Sequence, residues 1–78
     1  MQRGISMISI KIILRENRGS LAFHVNEEQI NKSSISQQEM DLLYDWFLNG
    51  NLPSHIVTCN DKTKMILIRN SILYAEAK

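Results

Sequence analysis

The 78-residue sequence predicts an α+β domain, an antiparallel four- to five-stranded sheet with one main helix packed on one face. Three observations carry this. Residues Met7 to Arg15 alternate in period two, residues Ile35 to Gly50 repeat in period 3.6 between good stop signals, and period two returns after Pro53. The predicted order is β-β-α-β-β-β.

In the first segment Ile8, Ile10, Ile12 and Leu14 share a face, and Lys11, Ile13 and Arg15 take the other. β-Branched residues in alternation fit a half-buried strand. Glu16-Asn17-Arg18-Gly19 reads as a turn, with Asn and Gly suited to positive φ. Leu21 to Val25 then returns as a second strand, with Leu21, Phe23 and Val25 on the face shared with Ile8. Asn26 to Ser34 reads either as a short helical turn capped by Asn26 or as a polar loop anchored by Ile30. Lys32-Ser33-Ser34 is loop on both readings.

The helix is the best-marked element. Ser36 with Glu39 makes a capping box, and Ile35 with Met40 the matching hydrophobic staple. Gly50 is expected at C′ with positive φ, and Pro53 forbids continuation. Met40, Leu43, Tyr44, Phe47 and Leu48 form the expected core stripe. Leu42 and Trp46 lie on an adjoining flank. Gln38, Asp41 and Asp45 make the polar strip. Beyond the helix, His55 to Asn60 and Lys64 to Arg69 read as strands joined by a turn at Asn60-Asp61-Lys62. Met65 and Leu67 alternate with Ile66 and Ile68, so the second of these is expected at the sheet centre, covered on both faces. Asn70-Ser71 marks a bend, and Ile72 to Ala77 a last strand.

Length allows one domain, residues 1–78, with residues 1–6 read as an extension ahead of Met7 or a frayed end. A core this small calls for a further stabilising device. Cys59 is the only cysteine, so no disulfide supplies it, and self-association is the remaining candidate. Net charge is +1, which is neither a nucleic-acid footprint nor a membrane-surface signal. No apolar run approaches the ~20 residues of a membrane span. Nor does a signal-peptide pattern open the chain. A cytoplasmic location is the expectation, in keeping with the lone cysteine.

Candidate chemistry is sparse. His24, His55 and Cys59 match no zinc spacing and lack the orienting group and oxyanion hole of a nucleophilic site. Asp41 and Asp45 at i, i+4 read as a solvated helix face. No catalytic residue, metal site, cofactor or small-molecule ligand is predicted. One helix cannot cover both faces of the sheet, which leaves surplus apolar surface. Leu42, Trp46, Ile13 and Tyr74 are the predicted partner interface, for a homodimer or a protein partner, with Trp46 weighed equally as a core residue. The alternative is a nucleic-acid-binding module using Arg15, Arg18, Lys62, Lys64 and Arg69 at the hairpin turns and strand ends. It lacks interleaved aromatics for base stacking.

The ending Met65-Ile-Leu-Ile-Arg-Asn-Ser-Ile-Leu-Tyr-Ala-Glu-Ala-Lys78 resembles small uncharacterised ββαββ proteins of low-GC Gram-positive bacteria and their prophages. Its Ile-x-Tyr-x-Glu strand is also similar to one strand of LytTR-type DNA-binding domains, though there the strand comes early in a longer domain. Neither resemblance carries a binding residue over. The first implies a bacterial or prophage protein. With the surplus apolar surface it leads to the expectation of a small, non-enzymatic interaction or regulatory protein.

Overall fold

A computed structural model describes residues 8–78. The reading of residues 1–6 as an extension, and of Met7 as the start of the first strand, lies outside the described residues. Two strands open the fold, β1 (Ser9–Leu14) and β2 (Ser20–Val25), followed by the two-residue β3 (Ser34–Ile35). The helix α1 (Gln37–Leu48) comes next. The hairpin β4 (Ser54–Thr58) and β5 (Lys64–Ile68), a 3-10 turn (Arg69–Ser71) and β6 (Ile72–Ala77) complete it.

The expected α+β class with one main helix is observed, but the strands form two sheets. The order β3-β2-β1-β6 makes a four-stranded sheet, and β4-β5 a separate two-stranded one. The expected all-antiparallel sheet needs a second correction, because β3 runs parallel to β2, with His24 opposite Ser34 and Val25 opposite Ile35. The 3-10 turn takes the chain from the end of β5 back across to β1, where β6 pairs antiparallel. Period two fixes which residues share a face. It does not fix which strand a face-mate pairs with, so the split into two sheets left no mark in the alternation.

The β1–β2 register places Ile10 opposite Phe23 and Ile12 opposite Leu21, so the two apolar faces coincide as expected. The connecting turn holds Glu16 at φ 60° and Asn17 at φ 56°, the pattern of a type I′ turn, with Gly19 at φ 100° behind it. β6 carries a bulge. Tyr74 pairs with Ile13 and Ile72 with Leu14, which leaves Leu73 without a partner on β1.

The helix sits between the two sheets, and this resets its buried face. Met40, Leu43 and Trp46 are buried, Tyr44 and Phe47 half-buried, and Leu48 is 78% exposed. The expected stripe from Met40 to Leu48 is therefore corrected. A stripe drawn for one covering layer ends on Leu48, whereas cover from two sides centres the buried arc on Leu43 and brings Trp46 inside. Ile10, Ile12, Phe23 and Val25 meet the helix from the main sheet. Val57, Cys59 and Leu67 close the core from the hairpin side. Each fully buried side chain of this size contributes about 1.5–3 kcal/mol.

Both helix caps differ in detail from expectation. Ser36 Oγ accepts from the Glu39 N–H at 3.1 Å, as a capping box requires. The Glu39 carboxylate, however, accepts from the Thr58 N–H at 3.0 Å. It joins the helix to the hairpin instead of closing the box. Gly50 is not in the left-handed region. Its requirement is space, because a Cβ there would lie 3.0 Å from the Trp46 carbonyl oxygen and 3.1 Å from its Cα.

β5 was expected at the sheet centre. Among the described residues it pairs only with β4, and the outward half of its alternation, Ile66 and Ile68, is exposed.

Candidate interaction surface

One flank of α1 is closed by directional contacts. Trp46 is 4% exposed. Its Nε1–H donates to the Leu52 carbonyl at 3.0 Å, and its ring stacks on His55 at a centroid distance of 5.4 Å. The Arg69 guanidinium lies 4.2 Å over the Trp46 ring. The same guanidinium donates to the carbonyls of Leu52, Trp46 and Gly50 at 3.0–3.3 Å. Those carbonyls include the unsatisfied acceptors at the helix C-terminus, where a cation is also favoured by the helix dipole. With Glu39 holding Thr58 at the other end, the β4–β5 hairpin is fastened to both ends of the helix. Asn60 adds a third tie. Its Nδ2 donates to the Asn26 and Gln29 carbonyls, each at 2.7 Å.

The residues that suggested chemistry are used structurally. His24 Nε2 lies 3.1 Å from Ser34 Oγ, where β2 meets β3. His55 and Cys59 point into the core from one extended segment. Four residues apart, they are separated by about 13 Å, too far for a nucleophile and its base. Burial is the main cause that lowers the His55 pKa below its ordinary value, with the Glu39 charge opposing. Burial raises the Cys59 thiol pKa, helped by the negative charges of Asp61 and Glu39, so the nucleophilic thiolate is disfavoured. Asp41 accepts from Gln37 and Asp45 from Asn49 on the helix surface. Among the described residues, no three of His, Cys, Asp and Glu gather to hold a metal.

The basic residues are scattered by the fold. Arg15 Nε donates to the Ile72 carbonyl at 3.2 Å, beside the β1–β2 turn. Arg18 pairs with Glu16 at 3.2 Å, both side chains exposed. Lys62 and Lys64 lie at the β4–β5 turn, with Lys64 Nζ on Thr58 Oγ1 at 3.3 Å. Arg69 is at the opposite end of that hairpin, engaged with the helix. Arg15 and Arg18 line an open groove with Asn70, Ser71 and Leu73. Lys62 and Lys64 lie at the far end of β5 from the turn that borders it.

Of the predicted interface residues, Ile13 and Tyr74 are brought together as cross-strand partners on the outer face of the main sheet. Leu42 is exposed on the helix, beyond the other face of that sheet, and Trp46 is in the core. The four do not share one surface.

The chain matches no known family model, no curated protein and no solved structure. What argues for a function is the exposed apolar geometry, which takes two forms. On the outer face of the hairpin, Ile56 stands opposite Ile66 with Ile68 on the diagonal. They are 51%, 63% and 46% exposed. Beside β6, a mostly apolar groove of ≈ 410 Å³ is lined by Ile10, Tyr44, Phe47, Leu48, Ala75 and Ala77. Ile56 and Ile68 do not stand out as surface in the sequence, and Ile66 does so only as one choice of two with Met65, because an all-apolar strand reads as covered on both faces. Their alternation with Val57, Met65 and Leu67 was the available signal.

Proposed function

We propose that this chain is a small, non-enzymatic interaction or regulatory protein of the cytoplasm, working by association with protein. The partner is a second copy or a different chain. One observation carries the proposal: Ile56, Ile66 and Ile68 stand in register on the outer face of a hairpin fastened to the helix at both ends. Three exposed isoleucines on a clamped support form a preorganised apolar patch, which loses little conformational freedom on docking. The groove beside β6 is a second such surface.

Nucleic-acid binding is supported less well. Arg15 and Arg69 already donate to backbone carbonyls, and Lys62 and Lys64 lie apart from them. Affinity capture with the tagged chain tests the proposal. Proteins retained by wild type, untagged copies of the chain included, should be lost from Ile66→Lys or from Leu48→Lys, both exposed positions that leave the core intact. Equal recovery from all three would overturn it. So would retention on heparin that collapses as salt rises.

A further inference from the structure

We infer that the outer edge of β6, unpaired among the described residues, pairs with β6 of a second copy, antiparallel about a two-fold axis at Ala75, so that the main sheets of the two copies become continuous. The inference rests on the reading of this chain as an association protein and names one of its interfaces and the occupant.

The argument begins with backbone parity. Ser9 and Lys78 exchange both backbone hydrogen bonds, at 3.0 and 2.8 Å. In an antiparallel ladder such pairs alternate with non-bonded ones. The register therefore makes Lys11–Glu76 and Ile13–Tyr74 the bonded pairs. The N–H and C=O groups of Ala75 and Ala77 then point away from β1, at the outer edge. β6 is exposed from Leu73 to Ala77. The sheet's other edge is the two-residue β3, a length that blunts pairing. β6 has six residues, no proline, and its Leu73 bulge and the single charged residue Glu76 as protection.

Charge and shape select a second copy. Pairing centred on Glu76 would set two carboxylates directly opposite each other, a destabilising arrangement. Pairing centred on Ala75 joins the outward groups of the two Ala75 residues and sets each Glu76 against Tyr74 of the other copy. The chain's net charge of +1 adds little long-range repulsion between copies. Ala75 and Ala77 pair with Ile12 and Ile10 and so face the helix side, yet the helix does not cover them. A two-fold axis normal to the sheet puts both helices on the same face. The two grooves beside β6 then merge into one trough in which Phe47 and Leu48 of one copy meet those of the other. A separate peptide would have to bring its own apolar side chains, whereas the second copy supplies them with the same residues that line the groove.

Sedimentation equilibrium into the hundred-micromolar range tests this. The wild-type chain should be a dimer. Ala75→Pro removes an outward N–H, which an edge strand tolerates in the monomer, and should weaken the dimer roughly tenfold or more with the circular dichroism unchanged. Leu48→Lys should do the same from the groove side, without touching the backbone. Ala75→Cys should cross-link under mild oxidation, since bonded antiparallel partners lie about 5.5 Å apart at Cα, within disulfide range. Tyr74→Cys should not. A monomeric wild type overturns the inference, as does a dimer indifferent to both Ala75→Pro and Leu48→Lys. If the wild type is monomeric while Ile66→Lys still abolishes capture of another protein, only this interface falls and the broader reading stands.

Discussion

The two flanks of α1 are built differently. Toward the hairpin, Trp46 is locked by an indole hydrogen bond, a stacked imidazole and an overlying guanidinium. Toward β6, Tyr44, Phe47 and Leu48 border an open, mostly apolar groove, with no side-chain hydrogen bond across it among the described residues. The closed flank shows how a 78-residue chain fixes a hairpin that shares no strand pairing with the main sheet: each end of the helix has a polar tie. The open flank shows where the fold stops using directional contacts, and there association costs least to arrange.

The sharpest way to break this comparison is to truncate one residue on each flank. Trp46→Ala should cost about 3–5 kcal/mol, since it opens a cavity and releases the Arg69 and His55 contacts. That is a large part of the 5–15 kcal/mol typical of a domain. Leu48→Ala should change monomer stability by less than about 0.5 kcal/mol. Urea unfolding of both variants measures the difference, and equal losses would show that the flanks are not distinct.

Next in size is Arg69. It satisfies carbonyls at the end of the helix and stacks on Trp46. Arg69→Gln should cost about 2–4 kcal/mol, from unmet acceptors and the lost cation–π contact. Arg69→Lys should recover only part, because one ammonium cannot reproduce the guanidinium fork. Full rescue by lysine would mean that charge alone holds the hairpin.

These contacts explain what was legible in the sequence. The helix, the β1–β2 hairpin and the bounds of β6 were, because caps, turns and alternation are local. Ser36 was readable as the N-cap. The destination of Glu39 was not, since Thr58 lies 19 residues away and only the folded hairpin brings it near. Trp46 lay off a stripe that assumed one covering layer, and a second layer turned it inward. Arg69 looked like a rim cation because nothing local marks a side chain that reaches back to a helix end. Ile13 and Tyr74 share a face because β6 pairs with β1, and alternation within either strand does not reveal that pairing.

A smaller effect on the closed flank concerns pH. His55 Nε2 is buried without a hydrogen-bond partner among the described residues, and burial holds the His55 pKa below its ordinary value. The unfolded chain therefore binds the proton more readily than the folded one. Stability from this group is intact above the unfolded value near ~6.5 and falls as pH drops from there toward the folded value. The thermal midpoint should decline between neutral and mildly acidic pH. His55→Phe should keep the stack on Trp46 and flatten that part of the profile. An unchanged slope would place the titration elsewhere.

The smallest effect lies at the tip of the hairpin that the closed flank holds. Lys62 adopts φ 75° where Lys62 N–H donates to the Cys59 carbonyl and the chain reverses. The left-handed region costs a residue with a Cβ about 1–2 kcal/mol, and glycine returns about 0.5–1 kcal/mol of that as greater freedom in the unfolded chain. Lys62→Gly should therefore stabilise the fold by about 0.5–1 kcal/mol. A hairpin held mainly by Glu39, Asn60 and Arg69 has no further use for the lysine, and association through Ile66 or Ala75 should be unaffected. If Lys62→Gly instead lowers capture of a partner, the turn itself belongs to the contact surface. The outer face of the hairpin would then reach from Ile68 to its tip.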